Sequence, residues 1–327
     1  MTATGIGSWP GTDVAEALAV VRGELPDLPY LPELPSRGPG ADMIGRAAAR
    51  LVSMPIDLQP GGWRLVDRPG RDQARADAFW REDLDRMAYA FDGYTGPLKV
   101  QLAGPWTLAS TVWLPRGERA VVDRGATRDL VESMAQTVRE LVADVVRLVP
   151  GATAVVQLDE PALPAVLEGR VPTASGFGRL RAVAPAEAQQ GLTTVLTAAH
   201  EAGARTAVHC CAPDVPIALL RDAGAQALAL DVTLLGPSGW ESVAASVEAG
   251  TRLWAGLVPT LGEVPAASEL AGRLARWWHD VGLPVVDLAD VVVTPTCGLA
   301  GASPPGARAA LVRSRETARE LAERAQG

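Results

Sequence analysis

Eight short apolar runs, most of them followed by a segment of helical periodicity, constrain this fold more than any other feature of the chain. They lie at residues 4–7, 28–33, 97–102, 154–158, 205–209, 226–230, 252–257 and 290–294. Apolar residues recur every three or four positions between them. In 127–148, for example, Leu130, Met134, Val138, Leu141 and Val145 would line one helix face. Helices are also expected at 14–22, 185–202, 216–223, 239–249, 266–281 and 306–324. Near-continuous apolar strands alternating with amphipathic helices imply a parallel sheet covered on both faces. Eight such units in 327 residues fit an α/β protein of one domain, a (β/α)8 TIM barrel spanning residues 1–327. An open doubly wound sheet competes, but no glycine-rich phosphate loop follows a strand. Residues 43–96 break the alternation. Helical stretches at 44–52 and 77–90 flank a Gly/Pro-containing segment at 59–62, so an insertion is expected there.

Polar residues fall where that architecture would build an active site. Ser8, Glu33, Gln101, Asp159, His209, Cys211, Asp231 and Cys297 each end an expected strand or lie just past it. In a barrel these positions surround one mouth. His209 and Cys211 flank Cys210, and strand alternation would turn them to one side and Cys210 to the other, into the core. Cys297 can join them from the last strand. Imidazole plus two thiolates, with a position left open, is a zinc preference of the catalytic type. The plain alternative is a satisfied histidine among buried thiols. Asp231 stands as a fourth metal ligand, or as an acceptor that orients His209 or caps a helix.

The carboxylates carry paired readings. Asp159 and Glu160 are adjacent and face apart in an extended chain, so Asp159 is expected in the mouth and Glu160 in a salt bridge within the wall. Glu33 is either a second anion for a substrate amine or a partner for Arg37. Ser8 could present its hydroxyl and nearby amides to a carboxylate, or serve the turn before Pro10. An amino acid carrying a thiol would satisfy the whole set.

A formal charge of −8 and the absence of a Lys/Arg-rich run argue against nucleic acid. The first residues show no basic leader or apolar h-region, and charges such as Asp231 cut the apolar stretches, so no membrane association is expected. Three cysteines suit a reducing compartment, and a cytoplasmic protein with a small-molecule partner is expected.

Five motifs, Gly5-Ile6-Gly7-Ser8-Trp9-Pro10, Gly104-Pro105-Trp106-Thr107 with Trp113, Gln157-Leu158-Asp159-Glu160-Pro161-Ala162-Leu163, His209-Cys210-Cys211 and Pro295-Thr296-Cys297-Gly298-Leu299, resemble the catalytic, C-terminal barrel of cobalamin-independent methionine synthase. They occur in that family's order. The resemblance implies zinc-dependent methyl transfer to the sulfur of homocysteine or a similar thiol. It implies zinc at His209, Cys211 and Cys297, with Asp231 where the family has a glutamate. Glu33 and Asp159 become the candidate catalytic carboxylates, and with Ser8 and Trp113 the candidate substrate-binding residues. Residues 258–265 lack the histidine that the family carries after its seventh strand. Only one of the family's two barrels is matched, so the methyl donor is expected to be methyltetrahydrofolate or a methylated corrinoid protein. A uroporphyrinogen-decarboxylase-like enzyme and a non-catalytic barrel binding zinc or an amino acid are the alternatives.

Overall fold

The computed structural model describes residues 2–326; Met1 and Gly327, the ends of the expected domain, lie outside them. Two strands, β1 (Ile56–Gln59) and β2 (Gly62–Leu65), form an antiparallel hairpin. Six more, β3 (Pro97–Ala103), β4 (Thr153–Asp159), β5 (Arg205–Cys210), β6 (Ala227–Asp231), β7 (Arg252–Val258) and β8 (Val292–Pro295), form one parallel sheet in chain order. Helices such as Arg124–Leu148, Pro185–Glu201 and Ala267–Asp280 make the crossovers, and Pro304–Gln326 follows β8. The architecture is α/β, as the alternation of periodicities implies.

The first two expected strands are not strands. Residues 4–7 and 28–33 are extended but carry only single parallel bridges: Ala3 to Val293, Tyr30 to Lys99, and Ser8 to Glu33. The reason is donor supply. Pro29 and Pro32 lack N–H groups, so the second segment cannot sustain a ladder. What remains is sparse but definite: Leu31 N–H donates to Lys99 O, Lys99 N–H to Pro29 O, Glu33 N–H to Gly7 O, and Trp9 N–H to Glu33 O. Both segments are thereby fastened to the edges of the sheet, and Ser8 is brought beside Glu33.

Alternation along the six strands divides their side chains. One set, including Val100, Val156, Val208, Leu228 and Val293, joins the large apolar cluster shared with the helices. The other set begins with a small apolar layer of Val155, Ala207, Ala227, Ala229, Trp254 and Val292, joined by Leu28 from the segment at 28–33. Further along the same face the layer turns polar while staying buried, with Lys99, Gln101, Gln157, His209 and Thr294.

Residues 43–96 hold more structure than expected. The first helix is shorter than 44–52, at Met43–Ala48, and starts at Asp42, whose side chain accepts from Ile44 N–H and Gly45 N–H. The second is longer than 77–90, at Arg71–Ala90. The hairpin between them turns at Gly62, at φ 119°, a backbone that glycine adopts readily. Asp83, fully buried, pairs with both Arg37 and Arg46, and Arg46 also lies 4.4 Å over the Trp80 ring. This ties Arg71–Ala90 to the segment carrying Met43 and Ile44. Among the described residues no helix is long and apolar enough to cross a membrane.

Candidate metal centre and substrate cavity

Alternation in β5 turns His209 into the sheet's polar face and Cys210 into the packing, where Cys210 is 1% exposed. Cys211 follows the strand end, and Cys297 follows β8 by two residues. Ligand atoms of His209, Cys211 and Cys297 all lie within 4.8 Å of one another, and the two Sγ atoms are 2.9 Å apart. His209 Nδ1 lies 2.9 Å from the Ala229 carbonyl oxygen. A carbonyl only accepts, so Nδ1 carries a hydrogen, and in the neutral imidazole Nε2 then presents a lone pair. That Nε2 is buried with no hydrogen-bond partner. A buried polar atom left this way costs roughly 1–3 kcal/mol, so an acceptor aimed at two thiols calls for a ligand. The hydrogen bond from Cys211 holds the Cys297 thiol well below its usual range, at about 4, against the opposing effect of burial. The same bond pushes Cys211 well above the thiol range. This donor set fits zinc.

The three residues line a cavity of about 440 Å³ together with Ser8, Glu33 and Asp159. Six of the residues named from the sequence thus share one space. Glu33 is 3% exposed, its Oε1 has no hydrogen-bond partner, and burial pushes its carboxyl up to about 7. Its alternative partner is taken: Arg37 pairs with Glu82 and Asp83. Burial likewise raises the Asp159 carboxyl, to about 6. Asp159 Oδ1 accepts from Gln157 Nε2 at 2.7 Å. Ser8 Oγ accepts from Ala300 N–H at 3.3 Å, which leaves its hydroxyl hydrogen available. A Cβ on Gly298 would come within 2.1 Å of that Oγ, so the residue after Cys297 must be glycine if Ser8 is to stay. Apolar wall is supplied by Ile6, Pro35, Met43 and Ile44, the last two from the start of helix Met43–Ala48.

Three expectations meet different surroundings. Asp231 ends β6 on the polar face, but it is not in the group of three; its Oδ1 is engaged by Thr233 N–H at 3.0 Å and by Thr233 Oγ1 at 2.5 Å. Trp113 does not line the cavity; its indole N–H donates to Gly61 O, and Arg64 and Arg119 flank its ring. Glu160 forms no ion pair among the described residues, contrary to the salt bridge expected of it. It accepts instead from Trp106 N–H, Thr107 N–H and Thr107 Oγ1, at 2.8–2.9 Å. Two sequence motifs are therefore one hydrogen-bonded unit, with Glu160 satisfying the start of helix Pro105–Ala109.

Sequence reasoning passed over Lys99. Its ammonium is wholly buried and contacts Ile6 O, Gln157 Oε1 and Gln101 Oε1 at 2.7, 2.9 and 3.2 Å. The available signal was a lone cation inside an apolar run, on the same strand face as Gln101.

Residues 98–320 match the family model described as cobalamin-independent synthase, catalytic domain. Among solved structures, the chain is similar to a B12-independent methionine synthase from Shewanella sp. W3-18-1 in complex with selenomethionine. Identity is 12%, the TM-score is 0.59, and 97% of this chain and 96% of that one are covered. At that identity the likeness bears on the fold. A D-psicose 3-epimerase solved in the presence of D-fructose is also similar, at 11% identity and a TM-score of 0.48, over 98% of this chain and 99% of that one. No curated protein matches the chain in sequence.

Proposed function

The chain belongs to the family of cobalamin-independent synthase catalytic domains, and we propose that it is a zinc-dependent methyltransferase acting on the thiol of homocysteine or a similarly small thiol. The observation that carries the reading is the unpartnered His209 Nε2, buried beside Cys211 and Cys297, in the same cavity as the unpartnered Glu33 Oε1. One calls for a soft cation and the other for a hydrogen-bond donor.

His209 Nε2, Cys211 Sγ and Cys297 Sγ would hold the metal, and Asp231 is the proposed fourth donor through the carboxylate oxygen that Thr233 does not engage. When bound, zinc would lower the pKa of an incoming thiol so that a nucleophilic thiolate exists at neutral pH. Glu33 and Asp159 hold the substrate's ammonium, and the Ser8 hydroxyl donates to its carboxylate. Ile6, Met43 and Ile44 cover its methylene groups and keep water from the sulfur. Held this way, the sulfur faces the open side of the cavity, where the donor arrives. A sulfur–carbon bond forms as the methyl–donor bond breaks, and the electron pair of that bond leaves with the donor. The donor is proposed to be methyltetrahydrofolate or a methylated corrinoid protein.

In this proposal the eight segments make up a closed (β/α)8 barrel in one domain, with residues 28–33 and 4–7 as the two weakly bonded members. A decarboxylase of the uroporphyrinogen type would need cations for several carboxylates, yet among the described residues no arginine lines the cavity. The test is methionine formation from L-homocysteine with methyltetrahydrofolate and, separately, with methylcobalamin as a corrinoid probe. Turnover with either supports the reading and excludes a purely binding role. Absence of turnover in zinc-loaded protein with both donors counts against it.

A further inference from the structure

We propose that Lys99 is a positioning residue that sets Ser8, Glu33 and Asp159 as a single receptor for the amino and carboxyl groups of the thiol substrate. This inference rests on the acceptor reading above. Lys99 lies in the layer beneath the cavity and touches none of the metal-binding side chains. Its three contacts are all oxygens, and each leads to a different member of the receptor. Ile6 O belongs to the residue two before Ser8. Gln157 Oε1 belongs to the residue two before Asp159, and Gln157 Nε2 donates to Asp159 Oδ1 and to Ile6 O. Gln101 Oε1 is the third contact, and Gln101 Nε2 donates at 2.7 Å to the carbonyl of Leu31, two before Glu33.

The chemistry of the donors fixes these directions. A lysine ammonium has three hydrogens and no acceptor, so the amide atoms facing it must be oxygens. Each glutamine is then forced to turn its NH2 group away, Gln157 toward Asp159 and Gln101 toward the Glu33 segment. Without Lys99 both amides could flip, and Asp159 would lose the donor that orients its carboxylate. The segments at residues 4–8 and 28–33 also most need such a fastening, since single bridges alone hold them to the sheet. The Tyr30 ring, 5.0 Å from Nζ, closes another side of the ammonium. Burial draws the Lys99 pKa down to about 7, and the charges of Asp159 and Glu33 oppose that. Fully satisfied buried networks of this kind rigidify what they hold and preorganise a site.

The test is calorimetric titration of zinc-loaded wild-type, Lys99→Met and Gln157→Leu proteins with L-homocysteine and with 1-propanethiol, which keeps the thiol and lacks the amino-acid end. Zinc content is measured in every sample. The wild type is expected to prefer homocysteine, and each variant to lose about tenfold or more of that preference while retaining zinc, in keeping with the loss of charge-assisted hydrogen bonds. If the wild type shows no preference, the acceptor reading itself fails. A wild-type preference that survives in both variants overturns the role of Lys99. So does a preference lost only in proportion to zinc, because Lys99 would then be structural.

Discussion

Glu160 fills the space that any side chain on Gly104 would need. A Cβ there would come within 2.4 Å of Glu160 Oε1, the oxygen that accepts from Trp106 N–H. Gly104→Ala should therefore push Glu160 off the start of its helix. The expected loss of stability is about 1–3 kcal/mol, the usual cost of overpacking a tight contact. Urea denaturation measures it, and an unchanged midpoint would contradict the contact.

Helix Arg71–Ala90 is anchored by a buried cluster of Asp83 with Arg37 and Arg46, whose removal should be costly. Asp83→Ala leaves Arg46, with a side-chain exposure of only 2%, without its carboxylate, and leaves Arg37 with Glu82 alone. Stability should fall by about 3–5 kcal/mol. Because Met43 and Ile44 line the cavity beside this anchor, thiol affinity should fall in the same protein at temperatures where it remains folded.

The cysteines should separate by position. Cys297→Ser is expected to lose tight zinc binding, since oxygen is a poorer partner for the metal than thiolate. Cys210→Ser, altering a thiol that faces the packing, should keep near-stoichiometric zinc. Metal analysis after dialysis against a weak chelator distinguishes them, and equal zinc contents would contradict the assignment.

Glu33 is expected to give the site a pH dependence whose sign follows from its burial. Burial raises its carboxyl from 4.5 to about 7. A raised folded value means that the neutral form is favoured in the fold, so this group's stabilising contribution is complete below about 4.5 and is lost as pH rises toward 7. Ligand binding runs the other way. The carboxylate that holds an ammonium forms only as pH passes 7, so L-methionine affinity should rise between about pH 6 and pH 8 and flatten in Glu33→Gln. Titration at several pH values checks this, and a flat wild-type profile would argue against Glu33 as the amine's partner.

What could be read from the sequence follows from how local each signal is. Strands β3 to β8 are buried on both faces, so their apolar runs announced them. Residues 28–33 looked like a strand for the same reason, but Pro29 and Pro32 had removed the donors a strand requires. The β1–β2 hairpin is hard to see in the sequence because its two strands are four residues each, with only Pro60 and Gly61 between them. Within the site, His209, Cys211 and Cys297 were legible because alternation and strand ends are short-range rules. The Glu160 partners lie 53 and 54 residues away, and only the assembled sheet brings them together. Asp231 shows the opposite effect, a carboxylate captured by Thr233 two residues on, as aspartates before turns commonly are. Lys99 was hidden because a single cation in an apolar run gives no hint of the three oxygens that surround it.

The central claim is that His209, Cys211 and Cys297 hold zinc where a substrate thiol can join it. Zinc-edge X-ray absorption during titration with L-homocysteine tests it most directly. The expected result is near-stoichiometric zinc with nitrogen and sulfur neighbours, whose sulfur count rises by one as homocysteine saturates. Protein that retains no zinc, or a zinc shell that the thiol leaves unchanged, would contradict it.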